Sequence, residues 1–211
     1  MDSKNLQILL RSVGKRYRYE WIFRNIDLTL VQGQKYAILG PNGSGKSTLL
    51  RILCAHLSPS EGKIEFSQLK NIIESDTVYQ HLSFAAPYVE LVEELTLKET
   101  INFHLRFQKL QNALNCENLI ELLGFQKSAN KEVRFFSSGM KQRLKLALAC
   151  CSDSKLLILD EPTTNLDRQG IEWYQSLTQN YLENRLVIVA SNTEVDYNFC
   201  TQTIDLQQFK N

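Results

Sequence analysis

Nine consecutive residues, GPNGSGKST from Gly40 to Thr48, set three glycines, a lysine and three hydroxyl side chains in the order G-x-x-x-x-G-K-[ST]. Glycine at positions 40, 43 and 45 permits backbone geometry barred to other residues, so successive N–H groups can curl around phosphate oxygens while Lys46 adds a point charge. Pro41, Asn42, Ser44 and Thr48 complete this candidate phosphate cradle, and the Ser47 hydroxyl is placed to reach Mg²⁺. A second chemical group, Asp160 and Glu161, closes the apolar run LLILD. A hard oxygen ligand holds Mg²⁺ against phosphates, and a carboxylate just beyond it can orient or deprotonate an attacking water. Asp160 is therefore the expected metal ligand and Glu161 the expected catalytic residue. The plainer alternatives are a glycine turn before an ordinary helix, a solvated aspartate after a strand, and a helix-start glutamate with no proton role.

Residues of this kind act only when strands and helices deliver them together. Tyr36 to Leu39 reads as a buried strand leading into the glycine loop, and a helix from about Lys46 to Leu57 points its positive end at the same anion site. LLILD, Leu156 to Asp160, has the continuous apolar character of a central parallel strand, whose carboxyl end is where ligands bind. A helix around Ile171 to Leu182 and the strand in RLVIVASN continue the alternation, which predicts a mostly parallel sheet with right-handed crossovers. Short alternating runs between about Asn5 and Lys35, with another strand at Gly62 to Phe66, predict a small antiparallel sheet. Apolar spacing of i, i+3, i+4 predicts helices between Thr96 and Leu123, and a third from near Ser138 that ends before Ser152 and Asp153. The expected fold class is α/β. The expected organisation is one domain over residues 1–211, with antiparallel and core lobes at about 1–85 and 155–211 and a helical lobe at about 88–153, and with no internal repeat or low-complexity linker.

With the loop at Gly40, FSSGMKQR from Phe136 and LLILDEPTTNLD from Leu156 in this order, nearly the whole chain resembles an ATP-binding subunit of an ABC transporter. The resemblance implies a P-loop core with a small antiparallel β subdomain and a helical subdomain that carries the signature motif. The family's usual LSGGQ is here Phe136, Ser137, Ser138, Gly139 and Met140, so the serine and the second glycine match and the other three positions differ. Ser137 and Gly139 take the phosphate-facing role that caps ATP held by another subunit. This implies a head-to-tail dimer, with itself or a related ATPase subunit, and Asp167 in the D-loop Asn165-Leu166-Asp167 crosses the same interface. Tyr17 stands where an aromatic stacks on adenine, with Tyr19 as fallback. ATP and Mg²⁺ are the implied ligands. ATP hydrolysis is the implied reaction, and a separate membrane-spanning transporter subunit is the implied partner, met from the cytoplasmic face.

Two positions depart from the family pattern. A histidine normally follows the last core strand and reaches the γ-phosphate, but the histidines here are His56, His81 and His104, all before Glu161. Asn192 stands in that place, with Ser191 as the other candidate; asparagine can donate a hydrogen bond but cannot carry a proton as histidine does. The glutamine that normally precedes the Leu95-Thr96 pair is also displaced: Ala86 and Pro87 occupy its location, and Gln80 is the nearest glutamine. The departures open a second reading, a slow-turnover regulatory ATPase acting as an ATP-dependent clamp. A ribosome- or DNA-associated relative is disfavoured, because such proteins usually carry two such domains or a long inserted arm.

The chain has 211 residues and a net charge of +1, which leaves no basic footprint for nucleic acid and too little length for a fused transmembrane half. Apolar runs are strand-length, none approaches the ~18 residues of a spanning helix, and MDSKNLQ lacks a signal-peptide core. Cytoplasmic placement is expected. Cys54, Cys116, Cys150, Cys151 and Cys200 form no C-x-x-C pair and read as reduced, mostly buried thiols. Lys141, Arg143 and Lys145 are read as a solvated helix face or as contacts to a partner's nucleotide. PYVELVEEL, Pro87 to Leu95, has two readings of equal weight: Tyr88, Val89 and Leu91 line a docking groove for the transporter subunit, or they pack the helical lobe.

Overall fold

The computed structural model describes residues 5–69 and 71–210, so the first four residues of MDSKNLQ lie outside the described residues. In chain order the elements are β1 (Gln7–Tyr17), β2 (Glu20–Val31), β3 (Lys35–Leu39), α1 (Lys46–Leu53), β4 (Glu61–Gln68), β5 (Asn71–Ile73) and β6 (Leu82–Ala85). There follow α2 (Leu97–Leu105), α3 (Cys116–Leu123), α4 (Ser138–Cys151), β7 (Leu156–Asp160), α5 (Arg168–Tyr181), β8 (Leu186–Ala190), α6 (Glu194–Tyr197) and β9 (Gln202–Asp205). They form two compact units. One comprises the chain up to Leu82, Lys155–Glu161 and the segment from Asn184 onward; the other comprises Ser83–Ser154 and Pro162–Glu183. Helix α5, expected in the core lobe, thus belongs to the second unit.

The first unit contains an antiparallel sheet in the order β2–β1–β4–β5 and parallel strands in the order β7–β8–β3–β9. Every residue of β7 and β8 is buried, as a parallel strand covered on both faces requires. In β1 the alternation that buries Ile8 and Leu10 breaks at Ser12, whose φ of 48° marks a bulge where the β1–β2 register shifts between Leu10 and Val13. Helix α1 ends at Leu53, four residues short of the expected Leu57. Ala55 takes φ 57°, its N–H reaches Ile52 O, and the His56 N–H returns to Arg51 O, which closes the helix as a Schellman turn.

The second unit is helical, and side chains cap its helices. Thr96 and Glu99 form a capping box on α2, Asn115 and Asn118 form one on α3, and Ser137 and Asp167 cap α4 and α5. Between α2 and α3 the expected helical stretch is broken where Asn112 and Ala113 both adopt φ 53°. Helix α4 is the centre of the unit, with Leu144 and all of Leu146–Cys151 buried. Its last carbonyls are taken up by side chains: Ser83 Oγ donates to Ala149 O at 2.8 Å and Gln111 Nε2 to Cys150 O at 2.9 Å.

The three basic residues of α4 do not form a solvated face. Residues i and i+2 point to different sides of a helix, and each of these cations has a partner within the unit. Lys141 pairs with Glu93. Arg143 donates to Leu123 O at 2.8 Å and lies over the rings of Trp173 (4.7 Å) and Phe125 (5.1 Å). Lys145 donates to Ala86 O at 3.0 Å and Pro87 O at 2.9 Å. Four of the cysteines are buried, Cys200 is half-buried, and all five are free thiols.

Candidate functional site

The glycine loop joins the end of β3 to the start of α1, and residues Asn42 through Thr48 line a cavity of about 320 Å³ together with Ile22 and Glu161. At Gly45 φ is 101° and a Cβ would stand 2.3 Å from Ile22 Cγ2, so any other residue there is strained and forces Ile22 to shift. Lys46 is buried, with Nζ 2.6 Å from Gly40 O and 3.4 Å from Pro41 O. Helix α1 has no side-chain cap and no acidic residue in its first turn, in contrast to the capped helices of the second unit. Its first N–H groups are thus left to a ligand, at the positive end of the helix. The buried Ser44 Oγ makes no hydrogen bond among the described residues. An unpaired buried hydroxyl beside an uncapped helix start matches the donor demand of a bound phosphate chain.

Asp160 is the last residue of β7 and is 2% exposed. Its negative charge adds to burial in pushing the Cys54 thiol up to about 12. Glu161 follows with φ 43°, a left-handed conformation that a non-glycine residue adopts only under constraint. Its N–H is held by Ala190 O at 2.8 Å, and the residue lines the loop's cavity. Ser47 lines the cavity and Asp160 stands one residue before Glu161, outside the lining; a hydroxyl and a carboxylate are hard oxygen donors of the kind that suits Mg²⁺. Among the described residues no group of three or more His, Cys, Asp or Glu could hold a metal ion.

Asn192 lies just past β8 and donates from Nδ2 to Asn42 Oδ1 at 3.2 Å, which ties it to the loop. The alternative, Ser191, is buried and occupied: its Oγ donates to Asp196 Oδ2 at 2.5 Å and accepts from Thr193 N. Tyr17 and Tyr19 stand outside the cavity lining. Tyr17 ends β1 with the Lys15 ammonium 5.5 Å from its ring centroid, and Tyr19 is 96% exposed in the β1–β2 turn. Ile22, which does line the cavity, gave no signal in the sequence beyond its place in a strand.

In the second unit, Ser137, Gly139 and Asp167 come together. With Arg143, Asn165 and Leu166 they line a separate cavity of about 280 Å³. Ser137 Oγ accepts the Met140 N–H at 3.2 Å as the cap of α4, which leaves its own proton available to a ligand. Gly139 lets the backbone pass: a Cβ there would lie 3.0 Å from Asn165 O. Asp167 Oδ1 accepts the Gly170 N–H at 2.7 Å. Burial lowers the Arg143 guanidinium below its ordinary value, and the nearby Asp167 charge opposes that shift. Phe136 packs edge-on against Phe125 at 5.8 Å, which accommodates the unusual aromatic at the head of the motif.

The same unit carries a groove of about 590 Å³ lined by Pro87, Val89, the run Glu90–Glu94, Lys141 and Lys145. Val89 and Leu91 line it; Tyr88 does not, and its ring sits 6.2 Å from that of Phe84. Ala86 is fully buried, and Gln80 is exposed with its amide on Tyr79 Oη at 3.3 Å. Among the described residues no helix is long and apolar enough to cross a membrane.

The model of the family described as ABC transporter matches residues 23–164. The chain is 32% identical over 165 residues to the ABC transporter ATP-binding protein YcbN of Bacillus subtilis, an alignment covering 78% of this chain and 54% of YcbN. It is 30% identical over 197 residues to the lantibiotic transport ATP-binding protein SrtF of Streptococcus pyogenes, covering 89% of this chain and 78% of SrtF. The chain therefore spans about half the length of YcbN and about three quarters of SrtF. Among solved structures, the dimeric bacterial ABC transporter cassette MJ0796 superposes with a TM-score of 0.77 at 26% identity, covering 94% of this chain and 93% of that one.

Proposed function

This chain belongs to the ABC transporter family, and from that premise we propose that it binds ATP with Mg²⁺, closes head to tail on a second ATPase subunit, hydrolyses ATP with Glu161 as catalytic residue and drives a separate membrane-spanning subunit from the cytoplasmic face. The observation that carries this reading is the cavity in which Glu161 faces the residues Asn42–Thr48 at the uncapped start of α1. There the loop N–H groups, Lys46 and Thr48 hold phosphate oxygens, Gly40, Pro41 and Gly43 shape the cradle, and Ser44 Oγ gains the partner it lacks. Ser47 and Asp160 hold Mg²⁺, which when bound neutralises phosphate charge. Glu161 orients the attacking water and accepts its proton. Asn192 donates to a phosphate oxygen from its station beside Asn42, and Tyr17 stacks on adenine. Ser137, Gly139 and Asp167 line the surface offered to the nucleotide of the second subunit, and the groove at Val89 and Leu91 receives the membrane subunit. Relatives such as SrtF, a lantibiotic transport ATP-binding protein, support a transport role.

The experiment is equilibrium binding of ATP with Mg²⁺ followed by steady-state turnover with and without membrane extract. Millimolar ATP that fails to bind the wild-type chain sinks the reading. Lys46→Ala is expected to weaken binding by about 10- to 100-fold, the worth of a charge-assisted contact. Glu161→Gln is expected to keep ATP and accumulate as a dimer; a monomer in saturating ATP overturns the closure step. A second reading rests on Asn192 in place of a histidine and on Ala86-Pro87 in place of the glutamine: an ATP-dependent clamp with slow hydrolysis. Brisk, extract-stimulated turnover excludes it, and negligible turnover throughout favours it.

A further inference from the structure

Gln142 lies in the middle of α4 and is 1% exposed, an uncommon place for an amide. Its Nε2 donates to Pro162 O at 2.8 Å, while its Oε1 is buried without a hydrogen-bond partner among the described residues. A buried amide with one half unsatisfied costs stability, and an apolar side chain of the same shape would remove that cost. The bond it does make lands on the first residue of the segment Pro162–Asp167, which leads from Glu161 to the cap of α5. That segment is irregular: Asn165 has φ 67°, and the Leu166 N–H donates to Thr163 O at 3.0 Å. One helical turn before Gln142, Gly139 admits Asn165 O so closely that a Cβ would lie 3.0 Å away. The segment thus meets α4 through a hydrogen bond from Gln142 and a close approach at Gly139.

We propose that Gln142 is a positioning residue that fixes the Pro162–Asp167 segment to helix α4, so that Ser137, Gly139 and Asp167 present one preformed surface for the nucleotide of a second subunit. The preformed surface rests on the proposed function, but the fixing of the segment does not. Without the Gln142 amide, the segment keeps its contact at Gly139 and loses its anchor at Pro162. The backbone of Thr163–Leu166 then samples more conformations, and closure of the dimer must order it again. Binding of ATP to the isolated subunit does not use this surface and is unaffected.

The test compares wild type with Gln142→Met, which keeps the length and volume of the side chain, and Gln142→His, which keeps an N–H at similar reach. Hydrogen exchange in the nucleotide-free chain is expected to speed up at least about tenfold at Thr163–Leu166 in Gln142→Met, and to return toward wild type in Gln142→His. In the Glu161→Gln background, Gln142→Met is expected to raise the ATP concentration for half-maximal dimer formation by about tenfold while the ATP affinity of the monomer stays constant. Unchanged exchange at Thr163–Leu166 in folded Gln142→Met overturns the proposal. Changed exchange with unchanged dimerisation overturns its second half. A wild-type chain that does not bind ATP sinks the proposed function, and the exchange measurement still decides the role of Gln142.

Discussion

Asn192 and Asn42 are hydrogen bonded, Nδ2 to Oδ1 at 3.2 Å, although 150 residues separate them in the chain. The contact brings a residue two positions past β8 against the glycine loop. The occupant is an amide that can hold a phosphate oxygen or its neighbour Asn42, but cannot exchange a proton near neutral pH.

From that placement, Asn192→His is expected to raise turnover by at least about tenfold, because a group that titrates near neutrality adds acid–base assistance absent from the wild type. Asn192→Ala is expected to lower it by several-fold through loss of one neutral hydrogen bond. Steady-state ATP hydrolysis at saturating ATP measures both. A histidine variant no faster than wild type shows that the missing proton carrier does not limit this chain.

Glu161 takes a left-handed backbone at φ 43° directly before a proline, and such strain at a catalytic candidate carries its own signature. Glu161→Gly and Glu161→Ala both remove the carboxylate and are expected to abolish turnover. They differ in the fold: glycine tolerates the positive φ, so Glu161→Gly is expected to be more stable than Glu161→Ala by about 1 kcal/mol, or about 2–4 °C in Tm. Equal melting points for the two variants would show that Glu161 stores no strain.

Gly45 meets Ile22 so closely that a Cβ would lie 2.3 Å from Ile22 Cγ2, and its φ of 101° disfavours any side chain. Gly45→Ala is expected to cost at least about 2 kcal/mol through overpacking and backbone strain together. Adding Ile22→Ala relieves the overpacking alone, so the double variant is expected to recover part of the loss. Urea denaturation of the two single variants and the double variant measures the coupling; simple additivity would mean that the two residues do not meet.

The loop, the strand ending at Asp160 and the start of α4 near Ser138 were legible because each carries a local pattern. Glycines mark phosphate-binding turns, an unbroken apolar run marks a buried parallel strand, and a serine before a helical run marks its start. Features that depend on long-range packing left no such trace. Ile22 reads as one more apolar strand residue, yet its Cγ2 fills the space that a Cβ at position 45 would need. Lys141, Arg143 and Lys145 read as a solvated face because charge in a helix normally is one; their partners Glu93, Trp173 and Pro87 are distant in sequence. The early end of α1 was hidden because Ala55, not glycine, takes the left-handed position. Tyr17 lies outside the lining of the cavity around Asn42–Thr48, so its place beside an adenine rests on its position along the chain.

His104 joins the end of α4 to α2, with Nε2 2.8 Å from Ser152 Oγ. Ser152 Oγ donates its one proton to Leu148 O at 2.6 Å, so the ring must be the donor in this pair, and Nε2 carries the hydrogen. Burial lowers the His104 pKa below its ordinary 6.5, so the native chain holds its proton less tightly than the unfolded chain does. Stability is therefore full above the unfolded value and falls as pH drops through 6.5 toward the depressed native value. His81, lowered by burial and by the Lys155 charge, contributes in the same direction. The midpoint of urea unfolding is expected to be lower at about pH 5.5 than at about pH 7.5, with acid favouring the unfolded state. His104→Gln keeps a side-chain N–H for Ser152 Oγ but cannot titrate, so it should remove the His104 share of that difference and leave the share of His81. If His104→Gln loses as much stability between the two pH values as the wild type does, the acid sensitivity arises elsewhere, and His81→Gln is the variant that should then abolish it.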